Sequence, residues 1–236
     1  MKKIICLVLS LFIFTSAISV SASETIALND IEGHWAEESI QRIMNKGIIS
    51  GYPDGSFKPD KSVTRAELAK IVTIAFNLDS SDSLEEFEDI DSTQWYYPYL
   101  EKSAHYIPKY RLPVYYPSMV PYLSTAGKFL PNNEAVRMHV AEALVEIMMD
   151  KDNIELDIPD IFDIQAILLE RFNDEHYEEL FVMQGAPAGN ATRMLKYTWI
   201  ASELGIMHGD DNGYFNPYGY ITRAELVTII DRIITE

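Results

Sequence analysis

Cysteine is almost missing: Cys6 is the single one in 236 residues. It lies too early in the chain, behind Lys3-Ile4-Ile5, to suit lipidation, so no disulfide and no thiolate metal site is expected and stability must come from packing. Positive charge is also scarce. Against 36 Asp and Glu stand 19 Lys and Arg, a net charge of −17, which repels nucleic acid and anionic bilayers and excludes both as partners. An anionic ligand would need a local cationic pocket to overcome that field. Catalytic and metal motifs are lacking too. His34, His105, His139, His176 and His208 show no ligand spacing, and there is no H-E-x-x-H, G-x-S-x-G, Walker loop or dinucleotide fingerprint. "HGDDNGYFNPYG" superficially resembles a calcium loop, but its twelfth position is Gly219 where a bidentate glutamate is required. Acidic pairs such as Glu85-Glu86 and Glu178-Glu179 fit solvated faces better than catalytic dyads. The chain is read as a non-enzyme without cofactor or metal.

Long apolar runs are absent after residue 22, so nothing later meets the roughly 20 residues of a membrane span. The first 22 residues have Lys2 and Lys3, an apolar stretch from Ile4 to Phe14, and small residues ending in Val20-Ser21-Ala22. This order predicts a secretory signal peptide over 1–22, cut near Ala22, with no membrane attachment afterwards; the alternative is an uncleaved N-terminal anchor, which the apolar run is short for.

What the chain does have is a repeat. "GIISGYPDGSFKPDKSVTRAELA" (47–69) lies without a gap over "GIMHGDDNGYFNPYGYITRAELV" (205–227), matching Gly47, Gly51, Gly55, Phe57 and Pro59 to Gly205, Gly209, Gly213, Phe215 and Pro217. A weaker copy, "FLPNNEAVRMHVAEALVEI", matches Phe129, Pro131, Arg137 and Ala141 to Phe57, Pro59, Arg65 and Ala69. Each unit reads as helix, loop, helix. Leu68, Ile71, Val72, Ala75 and Phe76 form the i, i+3, i+4, i+7, i+8 stripe of a buried helix face, echoed from Val140 to Met148 and from Leu226 to Ile234. Three equivalent stripes predict an all-α fold in which the helices bury one another as a pseudo-threefold three-helix bundle. The loop of the second unit, 108–128, is longer and rich in Pro and Tyr, and 151–190 reads as an acidic insertion with an extra helix over 161–172.

The pentapeptide "TRAEL" occurs at 64–68 and again at 222–226. Thr64 with Glu67, and Thr222 with Glu225, have the spacing of a capping box. The arginine between them has no such local reason, since a cation in the first turn faces the positive end of the helix dipole. The middle unit reads "VRMH": both capping residues are gone, yet Arg137 stays. Two explanations stand. A guanidinium beside free N–H groups of a helix start is an anion site, or the arginine bridges to an acidic neighbour across the repeat interface.

"DIEGHWAEESIQRIMNKGIISGYPDGSFKPDKSVTRAELAKI" resembles an S-layer homology repeat, and "ELGIMHGDDNGYFNPYGYITRAELVTII" resembles another, with a divergent copy between them. The resemblance divides the chain into repeat one (28–80), repeat two (86–150), the insertion 151–190 and repeat three (191–236). It implies a three-pronged spindle around a central helical bundle. It also implies attachment of a secreted protein to the bacterial cell wall, through an anionic, pyruvylated secondary cell-wall polysaccharide held in grooves between repeats. In that family the arginine of the TRAE motif contacts the acidic ketal, which places the role on Arg65, Arg223 and Arg137. Gly51 and Gly209 would let the loop backbone approach the sugar, and Trp35 would line a groove. Thr192 and Arg193 stand where repeat one has His34 and Trp35, so the third aromatic is missing. On this reading Arg65→Ala weakens wall binding with little change in thermal midpoint. The alternative from another class is an envelope protein-interaction module whose grooves no longer bind glycan and whose insertions, 106–128 and 151–190, contact an envelope protein.

Overall fold

A computed structural model of the chain describes residues 28–81, 83–108, 127–152, 154–174 and 189–235. The expected signal peptide, most of the loop 108–128 and the "QGAPA" of the insertion lie outside these residues. Among the described residues there are seven α-helices and no strand. They are α1 (Glu37–Asn45), α2 (Arg65–Ala75), α3 (Tyr97–Ser103), α4 (Arg137–Asp152), α5 (Ile161–Arg171), α6 (Gly189–Glu203) and α7 (Arg223–Thr235). The all-α expectation holds. The pattern of Ile40, Ile43 and Met44 reads as a helix over Trp35 to Lys46; the observed α1 is shorter, starting at Glu37 because Trp35 and Ala36 form a turn before it.

The local signals act as their chemistry dictates. Thr64 accepts from the Glu67 N–H while the Glu67 carboxylate accepts from the Thr64 N–H, and Thr222 with Glu225 repeats the exchange. In α4 Val136 has no hydroxyl to offer, so the His139 N–H turns instead to the Val136 carbonyl at 3.0 Å in a tighter first turn. Gly47 and Gly205 close α1 and α6 with φ of 72° and 67°.

The units close on one another in a ring. The second helix of each lies along the first helix of the next: α2 on α3, α4 on α6, and α7 back on α1, while the extra helix α5 packs on α6. Leu68, Val72, Leu144, Leu226 and Ile230 are fully buried in one continuous core. Where α2, α4 and α7, the second helices of the three units, begin, the chain forms a triangle of backbone bonds: Val63 N–H to Ile221 O (3.0 Å), Ile221 N–H to Ala135 O (3.1 Å) and Ala135 N–H to Val63 O (2.8 Å). This triangle marks the pseudo-threefold axis.

Each unit also pins its own loop. Both carboxylate oxygens of Asp30 accept from Phe57 and Lys58 N–H (2.7 and 2.7 Å), those of Asp89 from Phe129 and Leu130 (2.8 and 2.8 Å), and those of Asp174 from Phe215 and Asn216 (2.6 and 2.8 Å). Lys58, Leu130 and Asn216 all have φ between 55° and 58°. That left-handed turn aims successive N–H groups into a small nest for an anion, and an aspartate fills it. Asp174 therefore belongs to the third unit by the same bonds that place Asp30 in the first and Asp89 in the second. Phe172, Asn173 and Asp174 lie before the boundary expected at 190/191, and among the described residues α5 and its flanks are extra to the repeat.

Replacing Thr64 by Ala removes the α2 cap and is expected to cost about 1 kcal/mol. In a chain of this size that is a fall of about 2–4 °C in thermal midpoint. Val136→Ala removes no capping hydroxyl, so the two variants compared by calorimetry separate capping from packing.

Candidate functional site

In α2, α4 and α7 the first-turn donors are occupied. The N–H groups of Arg65 and Ala66 donate to Asn133 O and Pro131 O, those of Arg137 and Met138 to Gly219 O and Pro217 O, and those of Arg223 and Ala224 to Lys61 O and Pro59 O, at 2.8–3.0 Å. The acceptors are the loops of the neighbouring unit. The expected pairing of an anion with open helix N-termini is thus corrected: loop carbonyls already hold those groups, which the repeat architecture requires to be satisfied once buried.

The arginines extend the same pattern. Arg65 Nε donates to Phe129 O, Arg137 Nε to Phe215 O and Arg223 Nε to Phe57 O, each at 2.8 Å. Arg65 Nη2 donates to Pro108 O at 2.8 Å and Arg223 Nη2 to Ser50 O at 2.9 Å, whereas Arg137 Nη1 meets the Glu225 carboxylate at 2.8 Å. The guanidinium groups also lie 4.6, 5.7 and 4.4 Å from the rings of Phe129, Phe215 and Phe57. Arg65, Arg137 and Arg223 are 0%, 7% and 4% exposed. Burial pulls the pKa of Arg223 down from the usual arginine range, and the charges of Tyr52, Glu67 and Asp30 oppose that pull. The persistence of Arg137 where the cap has dissolved now has a structural cause: it docks unit two on unit three.

Gly51 and Gly209 are likewise accounted for by close approach. A Cβ on Gly51 would lie 2.8 Å from the Leu28 side chain and 3.0 Å from Ser56 O, and one on Gly209 would lie 3.1 Å from the Phe172 ring and 3.2 Å from Tyr214 O. Leu28 and Phe172, each two residues before a pinning aspartate, lie over these glycines.

Trp35 is different, being 65% exposed. It lies in the turn before α1 beside His34, whose imidazole is 3.4 Å from Asp60. Its counterpart Trp95, before α3, is 52% exposed, with the Lys70 ammonium 5.9 Å from its ring and 5.7 Å from the Tyr99 ring. In unit three the corresponding Arg193 reaches Glu142 instead, through Nε at 2.7 Å and through Nη2 as well. The six expected site residues therefore do not share one pocket. Five are built into the joints between or within units, and Trp35 alone of the six faces solvent. Sequence reading missed the aspartates 30, 89 and 174. The signal was the triplet Leu28-Asn29-Asp30, Phe87-Glu88-Asp89, Phe172-Asn173-Asp174, which a single alignment from the TRAE motif does not reach across loops of unequal length.

Three helix-loop-helix units closed in a ring by reciprocal loop docking define a helical repeat trimer within one chain. Comparison with known families reaches two of the three: residues 27–69, in unit one, and 200–227, in unit three, match the S-layer homology domain. Among curated relatives, an amylopullulanase of Thermoanaerobacterium thermosulfurigenes is 24% identical over 86% of this chain and 9% of its own length. A cellulosome-anchoring protein of Acetivibrio thermocellus is 35% identical over 34% of this chain and 18% of its own. The outer membrane protein SlpA of Deinococcus radiodurans is 45% identical over 24% and 5%. The chain thus spans under a fifth of the length of each of these relatives.

Because Arg65 is enclosed and bonds two carbonyls, the expectation of an unchanged thermal midpoint for Arg65→Ala is revised. Losing two charge-assisted bonds is expected to cost on the order of 3 kcal/mol or more, read as a lower denaturation midpoint in urea.

His139, beside Arg65 and Arg193, has its pKa held down to about 3, chiefly by burial and then by those two cations. The folded pKa is below the unfolded value, so the unfolded chain binds the extra proton and stability falls as pH drops below about 6.5. Between pH 6.5 and 5, above most carboxylate titration, His139→Gln is expected to flatten a slope of up to about 1.4 kcal/mol per pH unit. Urea unfolding across that window tests it.

Proposed function

We propose that this chain attaches non-covalently to the bacterial cell wall, as a secreted surface protein, by binding an anionic, pyruvylated secondary cell-wall polysaccharide in the grooves between units. The observation that carries the reading is the S-layer homology match of units one and three, in a chain whose relatives include a cellulosome-anchoring protein. Binding, not catalysis, is what such a module does. Trp35 offers an exposed indole for a sugar ring. Arg65, Arg137 and Arg223 form the floor between units, where they fix the loops that border the grooves. Gly51 and Gly209 keep those loops close-packed.

A second reading has its own observation. Helix α5, outside the repeat pattern, leaves Phe162 and Leu169 exposed seven residues apart on one face. That surface suits an envelope protein partner contacted through the inserted segment.

Co-sedimentation separates the two. The mature chain is expected to pellet with purified walls and to stay in the supernatant once the secondary polymer has been extracted. Undiminished pelleting after extraction would favour a protein partner.

A further inference from the structure

Each arginine that joins two units faces, on the next unit, the residue two beyond that unit's own arginine: Arg137 faces Glu225, Arg223 faces Glu67 and Arg65 faces His139. In the first two joints that residue is the capping glutamate, and it serves twice. One oxygen of Glu225 accepts from the Thr222 N–H while the other accepts from Arg137 at 2.8 Å, so one carboxylate holds both cap and joint. Glu67 caps α2 in the same way and lends its charge to Arg223. Such a carboxylate offsets part of the cost of enclosing a guanidinium.

At the joint of units one and two a base stands in the place of the acid. His139, in the first turn of α4, is 5% exposed, and Arg65 beside it is fully buried. A second guanidinium, that of Arg193 on α6, faces the imidazole from unit three. Arg193 is itself held by the buried Glu142, one turn further along α4. Burial first, and then the charges of Arg65 and Arg193, keep the imidazole neutral while the joint is closed. Residues 109–126, which follow Pro108 in the same unit and lie outside the described residues, include Lys109 and Arg111 and neither aspartate nor glutamate, so that loop has no acid with which to offset an imidazolium.

Because the closed joint excludes the proton, acid acts by capturing the opened form. An imidazole released to water takes up its proton near pH 6.5, so between pH 7 and pH 5 the opened joint gains by up to about 25-fold. The glutamates of the other two joints stay ionised through that window and give those joints no matching response.

We infer that the joint of units one and two is an acid-sensitive hinge: on acidification His139 takes up a proton as the start of α2 parts from the loop of unit two, while the joints held by Glu225 and Glu67 stay closed. Hydrogen exchange of the mature chain, read by NMR at pH 7 and pH 5, reports each joint separately. The amides of Arg65, Ala66 and Ala135 bond across the joint of units one and two, those of Arg137, Met138 and Ile221 across that of two and three, and those of Arg223, Ala224 and Val63 across that of three and one. Protection of the first set is expected to fall by about 10- to 25-fold between the two pH values, and that of the other sets by less than about twofold. His139→Gln, neutral at both values, is expected to abolish the fall. Should that variant not fold, the contrast among the three joints of the unaltered chain decides alone. An equal fall at all three joints would mean that acid unfolds the whole ring, and a fall that survives in His139→Gln would mean a different trigger. Either result overturns the hinge, as does protection at the first joint that does not change with pH.

Discussion

A guanidinium donating to the carbonyl of a phenylalanine in the next unit is the contact on which the rest of the structure depends. It occurs three times, from Arg65 to Phe129, Arg137 to Phe215 and Arg223 to Phe57, and the three together return to their starting point. Each phenylalanine is gripped from both sides, its N–H by the aspartate of its own unit and its carbonyl by the arginine of its neighbour. A positive charge in the first turn of a helix opposes the dipole by a few tenths of a kcal/mol, roughly, whereas a charge-assisted bond to a buried carbonyl is worth about 1.5–3 kcal/mol. The second effect wins, and so the arginine stands where local helix energetics would not put it.

The junctions between units are a product of this docking. Each is bounded by the second helix of one unit and the first helix of the next, α2 with α3, α4 with α6, α7 with α1. The arginines set the spacing, and the residues further along those helices decide what the spacing offers. Lys70 above two aromatic rings and Glu142 tied to Arg193 show the same frame carrying opposite chemistry. Divergence of the middle repeat touches what lines the joints and leaves the joints themselves intact.

Features governed by neighbours in sequence were legible in advance. The capping boxes, the glycines that end α1 and α6, the buried stripe of α2 and the all-α class follow from contacts within a few residues. The role of the arginines was not, because their acceptors lie 64, 78 and 166 residues away and a backbone carbonyl leaves no mark in composition. A helix start with an arginine looks the same whether its donors wait for an anion or are already met by a loop. Asp174 was missed for a related reason. It grips Phe215 from 41 residues upstream, across a stretch far longer than the 27 residues between Asp30 and Phe57.

The triangle at Val63, Ala135 and Ile221 also governs how the chain can acquire its shape. Its closing bond joins residues 63 and 221, and Arg223 must find Phe57 across nearly the whole length. Such distant pairings are slow to form, since the entropy of closing the loop is lost before the contact repays it. A chain emerging N-terminus first would carry unit one with its Phe57 carbonyl unmet until the last helix appears. Closure of the ring therefore waits for α7, and a chain cut before it would keep that carbonyl and the Val63 N–H unmet by their partners.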